Sequence, residues 1–192
     1  MSEAIDKKIT YFNVRGVKNT DKTLDLAVTY CRENNINKIV VASSTGKTAL
    51  KLKGKAGGSL EVIAVTYSSG SRFPEKVKKF DENRDELEKR GIRIVRGLHG
   101  LSATERGFAT RYKTEFMPLN IVADTLRMFS QGMKVCVEIS VMAAEAGLIS
   151  PDEDVIALGG SGEGCDTAVL MKPAYASDMF GIKIREIICM PR

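Results

Sequence analysis

The sequence alternates short apolar runs with helical segments. The runs are rich in β-branched residues, as buried strands are, and they span Ile9–Phe12, Lys38–Ala42, Val62–Thr66, Ile92–Val95 and Asp154–Leu158. Segments between them have amphipathic spacing, as where Leu24, Ala27, Val28 and Cys31 fall at i, i+3, i+4 and i+7. Strand–helix–strand order requires parallel strands and right-handed crossovers. The pattern therefore predicts an α/β protein of three layers, α/β/α, with a mostly parallel sheet.

Further segments complete the predicted secondary structure. A charged helix begins at Pro74 and ends near Arg90, and another helix follows Pro118. The run 134–148 starts with strand-like alternation, but its Ala- and Glu-rich ending before Gly147 favours a helix. The last residues alternate like a final strand. The irregular segment 96–116 is typical of a lid or of a loop packed over a site.

Composition and charge narrow the class of protein. The 192 residues contain no linker or repeat, which indicates a single domain over 1–192. No run is long and apolar enough to cross a bilayer, and the N-terminus does not look like a secretory signal. We therefore expect a cytoplasmic protein without a membrane partner. The net charge of +5 comes from Lys and Arg mixed with acids, which favours a solvated surface over a nucleic-acid interface.

The four cysteines predict neither a disulfide framework nor a metal site. They form no Cys-x-x-Cys pair and no spacing typical of metal ligands. Cys31, Cys136 and Cys189 lie in apolar surroundings and are predicted to be buried thiols. Cys165 lies in a Gly-rich loop, where a reactive thiol would be accessible, but no histidine nearby in the sequence supplies a base.

The stretch VVASSTGKTAL, residues 40–50, resembles a phosphate-binding loop. A Walker loop needs a glycine five residues before Gly46, and that position is Val41, inside the strand, so nucleotide hydrolysis of this type is disfavoured. The loop still suits a phosphate, because hydroxyls, backbone N–H groups, a lysine and a helix opening at Ala49 converge. The predicted contacts are Ser43, Ser44, Thr45, Gly46, Lys47 and Thr48. The alternative is an ordinary turn in which Ser and Thr cap the helix.

Two more loops follow predicted strands and should lie at the same edge of the sheet. One is the Gly-rich stretch 159–167, whose glycines allow backbone to approach a ligand closely. Ligands of open α/β sheets bind beyond the carboxyl ends of the strands. The predicted remaining walls of the cleft are Thr66, Tyr67, Ser68, Gly159, Gly160, Ser161, Gly162, Asp166 and Thr167. Asp166 and Thr167 would either bind the ligand or cap the Gly-rich loop. Tyr67 would either stack on a flat ligand or pack in the core.

Two ionisable residues are candidates for chemistry. Glu138 lies on a mostly apolar segment; if buried it needs a partner and could hold a ligand hydroxyl, and otherwise it is an exposed helix residue. His99, the single histidine, is either a general base or ring contact, or a structural or solvated side chain.

The combined motifs resemble the C-terminal domain of pyruvate kinase. The similarity covers Lys38–Thr66, with its Ser-Thr-Gly-Lys-Thr-Ala loop, and Ala143–Pro173, where a helix, an acidic turn, a strand and a Gly-Ser-Gly loop lead into an antiparallel hairpin. Residues 73–134 show no match to that domain. The chain as a whole resembles a mainly archaeal family of stand-alone proteins with this fold. The resemblance to pyruvate kinase implies a phosphate at Ser43–Thr48 and a closing loop at Gly160–Gly162. The resemblance to the stand-alone family implies bound flavin mononucleotide (FMN).

Three functions remain open. The chain is expected to bind a phosphorylated small molecule, with FMN as the cofactor, in a sensing or flavin-handling role. Alternatively it is a flavin-dependent or sugar-phosphate enzyme, or an oligomerisation domain with a vestigial anion site. The resemblance to pyruvate kinase, whose domain takes part in subunit contacts, also implies a homo-oligomer.

Overall fold

A computed structural model describes residues 4–102, 104–114 and 116–192. Its strands form one sheet and are β1 (Thr10–Phe12), β2 (Lys38–Ala42), β3 (Glu61–Thr66), β4 (Arg93–Arg96), β5 (Val155–Gly159), β6 (Thr167–Lys172) and β7 (Lys183–Pro191). Their order across the sheet is β1-β7-β6-β5-β2-β3-β4. β6 pairs antiparallel with β5 and β7, and the other neighbouring strands are parallel. The predicted mostly parallel sheet with an antiparallel C-terminal hairpin is confirmed.

Helices cover both faces of the sheet. They are α1 (Thr20–Asn34), α2 (Lys47–Ala56), α3 (Pro74–Glu82), α4 (Arg84–Lys89), α5 (Glu105–Tyr112), α6 (Pro118–Arg127) and α7 (Gln131–Glu145). One core joins α1, α2, α3 and α4 to the sheet through Leu24, Leu52, Phe80 and Leu87. The opposite core joins α7 to the sheet and includes Val137. The predicted three-layer arrangement is confirmed.

The run with mixed periodicity forms α7, as its ending predicts. The helix is buried around most of its circumference, which explains why β-branched residues recur at every second position without making a strand. Its first turn is capped by Ser130, whose hydroxyl accepts a hydrogen bond from Met133 N at 2.9 Å.

Several predicted boundaries are wrong. The charged helix breaks at Asn83, which separates α3 from α4 because its amide Nδ2 donates to Thr45 O at 2.9 Å and to Lys79 O at 3.0 Å. Segment 96–116, predicted to be irregular, contains α5. Helix α2 begins at Lys47, two residues before the predicted start at Ala49. Apart from β2, the runs predicted as strands are shifted by about one residue at one or both ends.

Helix α7 lies unusually close to the hairpin strands. A Cβ on Gly132 would collide with the Thr167 side chain, and a Cβ on Gly159 would collide with the carbonyl oxygen of Gly132. The absence of side chains at these two positions therefore sets the distance between helix and sheet.

Two properties of the described residues bear on the class of protein. No helix among them is long and apolar enough to span a membrane. No group of three or more His, Cys, Asp or Glu side chains in the described ranges is placed to hold a metal ion.

Gly132→Ala is expected to lower the free energy of unfolding by about 1–3 kcal/mol, because the added methyl overpacks the contact with Thr167. Urea unfolding followed by circular dichroism measures this change. The matched control is Gly54→Ala, an exposed position in α2 with nothing within 4 Å of the added methyl. This control should gain about 0.5–1 kcal/mol from helix propensity. Equal effects of the two substitutions would contradict the close contact.

Candidate functional site

The strand order places a topological switch point between β5 and β2. From β2 the chain moves through β3 to β4 on one side, and it then returns to β5 on the other side of β2. Ligands of open α/β sheets bind at such a point, beyond the carboxyl ends of the strands. The loops that follow β2, β3, β4 and β5 all leave the sheet at this edge.

The loop after β2 is held rigidly at the start of α2. Gly46 has a φ of 85°, and a Cβ there would lie 3.1 Å from Leu87 and 3.2 Å from Asn83, so both backbone and packing require glycine. Ser43 is buried, and its Oγ accepts a hydrogen bond from Ala49 N at 3.3 Å. Asn83 fixes the loop from the other side through Thr45 O. The N-cap of α2 is Gly46, and the Ser43 hydroxyl satisfies one N–H group of the first turn, which leaves the rest of the loop available.

Five successive backbone N–H groups, Ser44 to Thr48, have no acceptor within the described part of the chain. They precede or open a ten-residue helix, where unpaired N–H groups and the helix dipole favour an anion. Of the predicted contacts, the Lys47 side chain is exposed, and Ser44, Thr45 and Thr48 are partly buried.

Thr66 adds an unpartnered buried hydroxyl at the end of β3. The residue is 3% exposed, and its Oγ1 has no hydrogen-bond partner among the described residues. It lies in register with Arg96 of β4, so both side chains are on the α2 face of the sheet. Arg96 is bound to Asp81 at 2.6 Å, and this hydrogen bond lowers the pKa of the Asp81 carboxyl.

The mouth of the loop is bordered by opposite charges. Lys76 Nζ of α3 lies 4.0 Å from Glu163 in the loop after β5. Because β2 lies between β5 and β3, this ion pair passes over the carboxyl end of β2. Lys47, the first residue of α2, carries an exposed ammonium at the same end of that helix as the unpaired N–H groups.

The Gly-rich loop divides into an outer and a buried part. Ser161 and Gly162 are partly or fully exposed at its tip, while Gly160 packs so closely on the Gly164 carbonyl that a Cβ would collide with it. Asp166 and Thr167 are fully buried, and Asp166 accepts hydrogen bonds from Gly16 N at 2.7 Å and from Thr167 Oγ1 at 3.0 Å. These two side chains, predicted either to bind a ligand or to cap the loop, thus bind other parts of the protein.

Cys165 is not the accessible thiol that its loop suggests. Its side chain is fully buried, and burial raises the pKa of the thiol well above its usual range. The predicted burial of Cys31, Cys136 and Cys189 is confirmed.

A second polar cluster lies at the same edge on the α7 face. Glu138 Oε2 is 2.7 Å from Lys134 Nζ and 3.5 Å from His99 Nδ1, and its Oε1 accepts a hydrogen bond from Leu101 N at 3.3 Å. The Lys134 and Glu138 side chains are 7% and 6% exposed. Glu138 is thus buried and partnered, and the exposed-residue interpretation is wrong. The Tyr67 ring lies 5.7 Å from that of His99, with which it forms the rim of the cluster.

The cluster contains two opposite charges in contact, those of Lys134 and Glu138. Burial alone would raise the pKa of Glu138, but the hydrogen bond from His99 and the ammonium of Lys134 outweigh burial and lower that pKa to about 2. Burial lowers the pKa of Lys134, and the charge of Glu138 opposes this change. Glu138 is therefore ionised at neutral pH. Burial also raises the pKa of Tyr67, so its phenol stays protonated there.

Comparison with known proteins assigns the family. Residues 21–171 match the family described as "Pyruvate kinase, alpha/beta domain". The chain belongs to this family. Among solved structures, a pyruvate kinase from Cryptosporidium parvum shares 18% identity over 83% of this chain, with a TM-score of 0.42. A Cryptosporidium parvum pyruvate kinase in complex with ADP shares 19% identity over 81% of the chain, with a TM-score of 0.39. The chain spans 23% of the length of each of these enzymes.

Sequence reasoning missed several polar residues of this pyruvate kinase alpha/beta domain. Lys134 could have been predicted as the partner of Glu138, since it precedes Glu138 by four residues on one helix face. Arg96 and Lys76 reach the edge only through the pairing of β3 with β4 and the path of α3, which no local pattern encodes.

Two concave regions of the domain lie away from the strand-end edge. One, of about 480 Å³, is lined by residues near the C-terminus of α2, including Lys53 and Gly58. The other, of about 610 Å³, lies against β7 and includes Phe129 and Ile187. Neither contains a predicted site residue. The unpaired hydrogen-bonding groups, and not the volume of a cavity, therefore identify the strand-end loops as the candidate site.

Glu138→Gln should lower the free energy of unfolding at neutral pH by about 3–5 kcal/mol, because it leaves the Lys134 ammonium buried without a counter-charge. The double variant Lys134→Met with Glu138→Gln should recover most of this loss. Urea unfolding measures both.

The same pair predicts a pH dependence. The pKa of Glu138 in the folded protein, about 2, lies below the ordinary value of 4.5, so its stabilisation is present above pH 4.5 and is lost as pH falls towards 2. The difference between wild type and Glu138→Gln should therefore shrink over this window. A difference that stays constant from pH 7 to pH 2 would contradict the ion pair.

Proposed function

We propose that this domain binds a phosphorylated small molecule at the carboxyl edge of its sheet, and that FMN is the ligand. The observation that carries the proposal is the run of unpaired N–H groups from Ser44 to Thr48 at the start of α2. A phosphate dianion accepts several hydrogen bonds at once, and charge-assisted bonds of this kind are the strong ones. The exposed ammonium of Lys47, at the same end of α2, favours the same occupant.

The residue types beside the phosphate loop suit the flat ring of FMN. Next to the phosphate loop, Tyr67 forms a partly buried aromatic wall with Phe73, whose ring centroid lies 5.4 Å away. Such a wall suits a flat apolar ring. The choice of flavin comes from the resemblance to the stand-alone, mainly archaeal proteins of this fold. Bound FMN would supply electron transfer, while the chain would bind, orient and shield it, in a sensing or flavin-handling role.

An enzymatic role is the second candidate. It is favoured by one observation, the placement of His99 beside the ionised Glu138 at the same edge of the sheet. A carboxylate-oriented imidazole is the arrangement that proton-transfer enzymes use. A flavin-dependent reaction and a sugar-phosphate reaction both remain compatible with it.

Self-association also belongs to the proposal. Large apolar side chains are exposed on and beside α5 and α6, and they include Phe108, Ile121, Met128 and Phe129. Surfaces of this kind are typical of protein interfaces. We therefore propose a cytoplasmic homo-oligomer whose partners are small phosphorylated molecules and copies of itself, and neither nucleic acid nor membrane.

The first test is a fluorescence titration of the purified protein with FMN and with riboflavin. FMN should bind about 100-fold more tightly, because riboflavin lacks the phosphate that the N–H groups would hold. Lys47→Ala should weaken FMN binding by about tenfold, and Lys53→Ala, in the last turn of the same helix, should not. Equal affinities for the two flavins, or no binding of either, would overturn the FMN proposal.

Thr66→Val separates ligand binding from stability. The buried Thr66 hydroxyl has no partner among the described residues, so its removal should leave the free protein as stable or about 1 kcal/mol more stable. If the hydroxyl donates to a ligand, the same change should weaken FMN binding by about tenfold. Thermal unfolding and the FMN titration measure the two effects. Unchanged FMN affinity would remove Thr66 from the site.

A further inference from the structure

The cluster of His99, Lys134 and Glu138 is not needed to hold a phosphate, and burying its charges costs desolvation free energy. Both members of the Lys134–Glu138 pair are more than nine-tenths buried. The desolvation of two charges offsets much of their attraction, so such a pair is weak support for stability. Its position at the carboxyl edge of the sheet points instead to a role in the site.

The contacts of Glu138 favour one tautomer of the neighbouring imidazole. One carboxylate oxygen accepts from the Leu101 backbone, and the other faces both Lys134 Nζ and His99 Nδ1. An ionised carboxylate can only accept, so the 3.5 Å approach of Nδ1 to Oε2 favours the neutral tautomer whose N–H is on Nδ1. The second ring nitrogen, Nε2, is then a bare acceptor.

The bare nitrogen belongs to a side chain that reaches the surface. His99 is 21% exposed, whereas its partner Glu138 is 6% exposed. The Tyr67 ring is 5.7 Å from the imidazole at an angle of 48°, and Phe73 extends the aromatic wall beyond Tyr67. A flat ring that lies on this wall would bring its edge to His99.

We propose that His99 Nε2 accepts a hydrogen bond from a ring N–H of the bound ligand, and that Glu138 is the residue that positions it. This inference rests on the proposed function, and it narrows the ligand class to phosphorylated compounds with a heteroaromatic ring that carries an imide-type N–H. The isoalloxazine of FMN has such a group. Lys134 keeps Glu138 ionised and in place, so it acts through two residues and not on the ligand.

The first measurement needs no ligand. The chain has a single histidine, so the ¹⁵N resonances of its imidazole are assigned without ambiguity. At pH 8, Nδ1 should carry the proton, and Nε2 should have the shift of an unprotonated nitrogen. In the variant with Lys134→Met and Glu138→Gln, which leaves no unpaired buried charge, this preference should weaken. A proton on Nε2 in the wild type would overturn the proposal whatever the ligand.

The second measurement is a binding cycle with FMN and 3-methyl-FMN, whose ring nitrogen cannot donate. His99→Phe keeps an aromatic ring but removes the acceptor. Each single change should weaken binding by about tenfold, and the two together should cost no more than either alone. Ser102→Ala, a nearby change outside the wall, is the control and should leave both affinities unchanged.

The outcomes separate the two proposals. If wild type binds FMN and the two changes are additive, the hydrogen bond at His99 is overturned while the phosphate site stands. If wild type does not bind FMN, the proposed function is overturned, and the ring contact with it.

Discussion

The close contact of α7 with the β5–β6 hairpin is the constraint on which the candidate site depends. Gly132 and Gly159 let the helix start directly on the ends of the strands. The Ser130 hydroxyl, which caps α7, also lies 3.0 Å from Thr167 Oγ1, and Thr167 in turn donates to Asp166. Asp166 then holds the loop after β1 through Gly16 N. One buried polar chain thus fixes a helix end and two loops at one edge of the sheet.

On the opposite face of the sheet, ion pairs hold helices α1 and α2 together at the same edge. Helices α1 and α2 run side by side, since Asp21 pairs with Lys51 and Asp25 with Lys55, each one turn further along. Both helices begin at the carboxyl edge of the sheet, as α7 does on the other face. Three helix N-termini therefore direct their positive ends towards one region. This field favours anions there in addition to the charge of Lys47, whose side chain is exposed at the start of α2.

The sequence predicts those features of the fold that depend on local pattern. Strand–helix alternation gives the parallel sheet, and the residues around Gly46 give a tight strand-to-helix turn, because both follow from neighbours along the chain. The break at Asn83 was missed, since it depends on a bond to Thr45 that joins residues 38 positions apart. Asp166 and Thr167 were predicted either to cap the Gly-rich loop or to bind a ligand. Their burial depends on α7, which lies between β4 and β5 in the sequence.

In the candidate site, the local sequence around Glu138 predicts its pairing with Lys134 but not its contact with His99. Its apolar surroundings predict that burial would require a partner, and the spacing to Lys134 supplies one. The third member, His99, comes from the loop after β4, and it reaches Glu138 because Leu101 N binds the other carboxylate oxygen. The imidazole is thus positioned by a backbone contact two residues away. A loop that moved from α7 would lose the Leu101 bond and the His99 contact together, so the acceptor and its orientation form as one unit. The phosphate loop on the α2 face has no such dependence on residues 97–102, so a ligand that bridges both would couple two parts of the edge that are otherwise held separately.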